Sequence, residues 1–178
     1  GVAVVGDIGK PIGVESEVVT GSVREERGQE KLLQQFAIAN VEHPYASVDA
    51  IDQLVSATEK AQGLGRGSVS LLLIGTEVPE AVFQLPEMAG NGRVAGITWG
   101  AEDLAAALGS HAKRDEQGNY LDVFRFVRAI CLLAASAAEV QAIDSVYVDF
   151  KDTRGLRKEC HDAALMGFTG KLTIHPDQ

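Results

Sequence analysis

The sequence predicts an α/β fold built on a parallel sheet, of the β/α-barrel type. From residue 36 onward, strand-length apolar runs alternate with segments whose apolar residues follow helical spacing, the pattern of consecutive β/α units joined by right-handed crossovers. The run at residues 68–74 is continuously apolar rather than alternating, as a parallel strand covered on both faces is. Four of them run into a polar or acidic residue: SVSLLLIGT into Glu77, RVAGITWGAE into Asp103, SVYVDF into Asp149 and Lys151, and KLTI into His175. In a β/α barrel those ends open on one face, where active sites of that fold are built.

In chain order, FAIANVEH reads as the first clear strand. Ser47 then caps a helix whose apolar positions Val48, Ile51, Leu54 and Val55 continue to a stop at Gly63. Residues 68–74 form the next strand, with Thr76 as a cap and Pro79 in the first turn of a helix that continues through Pro86 to Met88. Residues 93–99 form the third strand, followed by a short helix between Gly100 and Gly109. The charged stretch 111–120 is an exposed excursion before a long helix over 122–140. Residues 145–150 are β-branched and aromatic and read as a strand, 153–166 as a helix ended by Gly167, and 171–174 as the last strand. In residues 1–35, GVAVVG offers a strand before a Gly- and Pro-rich loop, and SVREERGQEKLLQQF reads as a charged surface helix, making this a divergent N-terminal segment of a single 1–178 domain.

At 178 residues and 46% apolar content, the chain is large enough for a proper core yet short for a complete barrel of about 250 residues. A net charge of −9 excludes a sequence-independent grip on nucleic acid, which needs a basic footprint. The longest apolar stretch, 129–138, is too short to span a bilayer, and the N-terminus lacks a secretory pattern, so no membrane association is expected and a cytoplasmic, or organelle-matrix, location is the expectation. Cys131 and Cys160 fall inside helices and read as buried thiols in a reducing compartment. GDIGK at residues 6–10 lacks the spacing of a phosphate loop.

Glu77 and Asp103 each follow a neighbouring strand, which places them side by side on the sheet's C-terminal edge. Two carboxylates completed by waters and ligand oxygens suit Mg²⁺; acids in a helix's first turn are also favoured by the helix dipole alone. In GAED, Gly100 allows close backbone approach, and the N–H groups of Ala101, Glu102 and Asp103 begin a helix, a geometry able to hold a carboxylate or phosphate and equally a plain helix start. Asp149, Lys151 and Asp152 form either a solvated turn or a group in which Lys151 meets an anion and the acids orient it. His175 before Pro176 is a proton donor or a structural histidine.

Together, TEVPEAVFQL, RVAGITWGAEDLAAALG and AIDSVYVDFKDTRGLRKECHDAALMGFTGKLTIHPDQ resemble the citrate lyase beta-chain family, which includes malyl-CoA and citramalyl-CoA lyases within the HpcH/HpaI aldolase superfamily, over roughly residues 36–178. The resemblance implies a (β/α)8 barrel of the TIM type, abbreviated here on its N-terminal side, that assembles as a homotrimer or homohexamer. It implies an Mg²⁺-dependent carbon–carbon lyase that cleaves or forms a short hydroxy-acyl-CoA thioester. Glu77 and Asp103 match the family's metal carboxylates, and Gly100, Ala101, Glu102 and Asp103 its loop for the carboxylate of a 2-oxo or 2-hydroxy acid. Asp149 and Lys151 lie in its VYxDFKD stretch on the thioester side, and Glu42 matches the Glu of its Lys-x-Glu motif, with Asn40 replacing the Lys. The family's LxxPGxR, LDLEDxV and VRxN motifs have no counterpart in residues 1–35. Two rival expectations follow: a catalytically defective relative serving as a binding or assembly module, and a metal-dependent aldolase acting on free 2-oxo acids.

Overall fold

The computed structural model describes residues 2–6, 18–23, 34–40 and 48–178. Its elements, in order, are β1 (Val2–Gly6), β2 (Val18–Val23), β3 (Gln34–Asn40), α1 (Val48–Ala61), β4 (Val69–Ile74), α2 (Pro79–Val82), α3 (Leu85–Ala89), β5 (Val94–Thr98), α4 (Ala101–Ala107), α5 (Asp122–Ala137), β6 (Gln141–Asp144), α6 (Thr153–Met166) and β7 (Gly170–Leu172).

Strands β3 to β7 lie in sequence order and pair parallel throughout, as the β/α alternation predicts. β7 pairs parallel with β1, and β2 inserts antiparallel to both β1 and β3, so the seven strands close into one ring. Among the described residues this differs from the all-parallel barrel that the resemblance implied: antiparallel contacts of β2 with β1 and β3 do the closing. β2 escaped the sequence reading because VVTGSV carries a glycine and two hydroxyl residues instead of an apolar run. Residues 24–33 of the expected charged helix lie outside the described residues, while its ends, 22–23 and 34–36, belong to β2 and β3.

Two apolar layers result. Leu71, Leu73 and Ile97 face the helices and pack with Leu85, Leu104, Phe124 and Cys131, forming the main core. The alternate residues Leu72, Ile143 and Leu172, with Val146, form a smaller cluster on the sheet's other face. Among the described side chains, this second cluster lies on the face turned away from the helices, where a small barrel fills its interior.

Several elements shift from their expected places. The strand read at 145–150 is instead β6 at Gln141–Asp144, and VYVDFK forms the turn after it. β-branched content misled there, because the polar Gln141 and Asp144 flank only two apolar residues. The helix expected to run through Pro86 is broken into α2 and α3, since neither Pro79 nor Pro86 can donate a helical hydrogen bond and each sits at the start of its own helix. α5 ends at Ala137, and α6 ends as expected at Gly167, whose φ of 113° is accessible to glycine without strain. Cys131 is buried, but Cys160 is exposed. Ser47 lies outside the described residues. Among the described residues, no helix is long and apolar enough to cross a membrane.

At the N-terminal ends of β4 and β5, Arg93 is almost fully buried and bonds to α1 and β4 together. Its guanidinium donates to Glu59 Oε1 and the Val69 carbonyl, both at 2.8 Å, to Ser56 Oγ at 2.7 Å, and to Asp52. Glu59 also accepts the backbone N–H groups of Gly67 and Val69. Arg93's hydrogen bond outweighs burial and, with those amides, holds the Glu59 carboxyl at about 2. This network sits at the pole where barrel residues serve stability.

Candidate active site

The C-terminal ends of β4 and β5 carry the two turns singled out by sequence, and the structure ties them to each other. The Gly100 N–H donates to Thr76 Oγ1 at 2.8 Å, and the Gly75 N–H donates to the Thr98 carbonyl at 3.2 Å. Thr76 therefore does not cap α2, whose N-cap is Val78; its hydroxyl is spent across the rim on the neighbouring turn.

This cross-link seats Glu77 directly over Gly100. A Cβ built at Gly100 would stand 3.3 Å from Glu77 Cγ, 3.3 Å from Ile74 Cγ2 and 3.9 Å from Glu77 Oε1. Only a glycine leaves that space open without displacement. Glu77 is 6% exposed, so its carboxylate is held in a largely desolvated position at the rim.

From Gly100, in extended conformation, the chain enters α4 with Glu102 and Asp103 in its first turn. Both are exposed, and the Lys113 ammonium donates to Glu102 Oε2. The structure thus gathers Glu77, Gly100, Ala101, Glu102 and Asp103 on two linked turns.

Asp149 and Lys151 occupy the β6–α6 turn, on the next loop around the rim. Both are exposed, and the Asp149 carboxylate accepts the Lys151 N–H at 3.1 Å, which closes the turn. Phe150 stacks on His175 with ring centroids 4.4 Å apart, and the Lys151 ammonium lies 5.7 Å from the Phe150 centroid. Asp152 is the N-cap of α6, accepting the Gly155 N–H at 2.9 Å and the Tyr147 hydroxyl at 2.8 Å. The hydrogen bond to that carboxylate, with burial adding, pushes the Tyr147 hydroxyl up to about 12. Glu42 lies outside the described residues.

Sequence reasoning missed what supports these turns from behind. Trp99, the residue before Gly100, donates its indole N–H to Asp144 Oδ1 at 2.8 Å. Asp144 is wholly buried and also receives both Nε and Nη2 of Arg128, at 3.0 and 2.9 Å, and the Lys171 ammonium at 3.1 Å. Burial alone would raise the Asp144 carboxyl, but the Lys171 and Arg128 cations and the Trp99 bond hold it below the usual range. The one available signal was an acid and a basic residue in strands otherwise apolar, AID and GKL.

Among the described residues, no group of three or more His, Cys, Asp and Glu side chains is placed to enclose a metal ion. Glu77, buried against a glycine cradle, and Asp103, exposed in the first turn of α4, lie on these two linked turns, and a hard cation that keeps waters and takes the rest of its shell from a ligand, as Mg²⁺ does, would need no more protein ligands than two such carboxylates.

A citrate lyase subunit beta-like protein of Mycobacterium tuberculosis is 47% identical over 92 residues, which is 52% of this chain and 34% of that protein. A (3S)-malyl-CoA thioesterase of Cereibacter sphaeroides is 38% identical over 102 residues, 57% of this chain and 34% of that protein. The match therefore spans about a third of the length of these relatives. The solved structure of a citrate lyase beta subunit complexed with oxaloacetate and magnesium, from M. tuberculosis, superposes with a TM-score of 0.64 at 34% identity, covering 80% of this chain and 57% of that one. Residues 16–176 match a family profile, so the likeness starts well ahead of residue 36, where its motifs become readable by eye. Motifs, fold and rim geometry converge, and the chain belongs to the HpcH/HpaI aldolase/citrate lyase family.

Proposed function

We propose that this chain carries the Mg²⁺ and 2-oxo acid site of a carbon–carbon lyase acting on a short hydroxy-acyl-CoA thioester, on the C-terminal rim of a TIM-type barrel. The observation that carries the reading is the seat of Glu77 over Gly100, which brings a buried carboxylate against the turn that leads to Asp103.

Glu77 and Asp103 would hold Mg²⁺, which when bound supplies Lewis-acid stabilisation of negative charge developing on the acid's oxygen. The N–H groups of Ala101, Glu102 and Asp103 hold the acid's carboxylate, whose fixed negative charge suits the amides of a helix start and orients the acid for the cleavage. Lys151, exposed on the adjacent turn, meets the anionic or carbonyl part of the thioester half, with Asp149 fixing the turn that presents it. Desolvation of Glu77 strengthens its grip on a cation, because a buried carboxylate loses little to water screening.

The magnesium and oxaloacetate complex of the M. tuberculosis structure supports the metal and acid halves of this reading, and the malyl-CoA relative supports the thioester half. That relative is a thioesterase, which favours a second reading in which the same site hydrolyses the thioester without breaking a carbon–carbon bond.

Incubation of the chain with Mg²⁺ and malyl-CoA or citramalyl-CoA separates the readings by product. A lyase releases a 2-oxo acid and an acyl-CoA, while a thioesterase releases free CoA thiol. Neither product from any short hydroxy-acyl-CoA or free acid would overturn both and leave a binding module.

A further inference from the structure

The stretch 111–120, expected to be an exposed excursion, is a folded hairpin whose two adjacent cations reach two different turns of the rim. The Leu121 N–H donates to the Lys113 carbonyl at 2.9 Å, and Arg114 bridges antiparallel to Tyr120. Asp115 holds the tip, its carboxylate accepting the N–H groups of Gln117 at 3.0 Å and Asn119 at 2.8 Å. Gly118, at φ 81°, makes the turn.

Lys113 projects to Glu102, on the turn of Gly100 to Asp103. Arg114 goes the other way. Its guanidinium lies 3.6 Å from the Tyr120 centroid and 5.9 Å from that of Tyr147, and donates to Glu159 Oε2. Tyr147 belongs to the turn that carries Asp149 and Lys151. Glu159 is itself anchored, since its Oε1 receives the Lys171 ammonium at 2.7 Å, and that ammonium also reaches Asp144 and the Ser145 carbonyl.

We propose that this hairpin is a clamp across the rim, with Lys113 and Arg114 as positioning residues: Lys113 fixes the Gly100–Asp103 turn and Arg114 fixes the 145–152 turn against one buried anchor. An exposed ion pair such as Lys113–Glu102 adds little to stability, so its consequence is geometric. The clamp stands on the contacts above; only its effect on a cation rests on the function proposed for Glu77 and Asp103.

Hydrogen exchange on the full chain tests the clamp, and Mn²⁺ binding by electron paramagnetic resonance tests its effect. In Lys113→Gln, amide exchange over 101–104 should rise about two- to fivefold, and in Arg114→Met the same should occur over 146–152, each without change in the other turn. Unchanged exchange in both variants overturns the clamp. Removing the Lys113 charge would by itself tighten a nearby cation; mispositioning loosens it. Weaker Mn²⁺ binding in Lys113→Gln, restored in Lys113→Arg, is the expected result, and equal or tighter binding overturns Lys113 as a positioning residue. A wild-type chain that binds no Mn²⁺ overturns the proposed metal site instead, while exchange still decides the clamp.

Discussion

The hydroxyl of Thr76 accepts the backbone N–H of Gly100 at 2.8 Å, so one side chain ties together the turns that follow two adjacent strands. Thr76→Val keeps the shape and deletes the acceptor. It should cost about 0.5–1.5 kcal/mol, lowering the melting temperature by about 2–4 °C per kcal/mol, and should weaken Mg²⁺ binding as the turns separate. Calorimetric melting and metal titration on the same preparation check both.

Gly100→Ala places a methyl 3.3 Å from both Glu77 Cγ and Ile74 Cγ2, so the flexible Glu77 side chain must give way. The expected outcome is a fold that persists with Mg²⁺ affinity reduced about tenfold, or about 1.4 kcal/mol. Wild-type affinity in a folded Gly100→Ala protein would show that Glu77's seat does not matter to the ion.

Arg93→Met tests the opposite pole. It strands the Glu59 carboxylate, which is 2% exposed, and should destabilise the chain by about 3–5 kcal/mol. Because Arg93 lies at the N-terminal ends of the strands, whatever protein remains folded at low temperature should bind Mg²⁺ as the wild type does. Denaturant melts and titration at reduced temperature give the two numbers.

The acid limb of stability follows from Glu59 and Asp144. Each ionises in the folded chain below its ordinary range, Glu59 at about 2 against an ordinary 4.5. Stability from such groups is complete above the ordinary value and is lost as pH falls through it towards the folded one. The wild type should therefore lose stability progressively between about pH 4.5 and 2. Glu59→Gln, already lacking its share, should show a shallower limb. Trp99, the chain's single tryptophan and 1% exposed, supplies the fluorescence signal for both titrations.

The rim was readable in the sequence because each half of it is local: an apolar strand followed at once by a polar residue, as in LLLIGTE and ITWGAED. Its assembly was not, since the Thr76–Gly100 bond joins turns far apart in the chain and the threonine serves as well for a helix cap. The same holds for Asp144 and Lys171, whose charges are tolerated in strands only because Arg128, Glu159 and Trp99 meet them from other elements. β6 was misplaced because the β-branched and aromatic residues at 146–148 looked more strand-like than QAID, whose pairing with β5 and β7 decides the matter. Ring closure by an antiparallel β2 has no local signature at all; it is a property of which edges remain to be paired.

Calorimetric titration of Mg²⁺ with a 2-oxo acid present, into the wild type, Glu77→Gln and Asp103→Asn, tests the central claim most directly. The account predicts one ion per chain in the wild type and binding lost or strongly weakened in each variant, both remaining folded by circular dichroism. Wild-type affinity in both variants would contradict it.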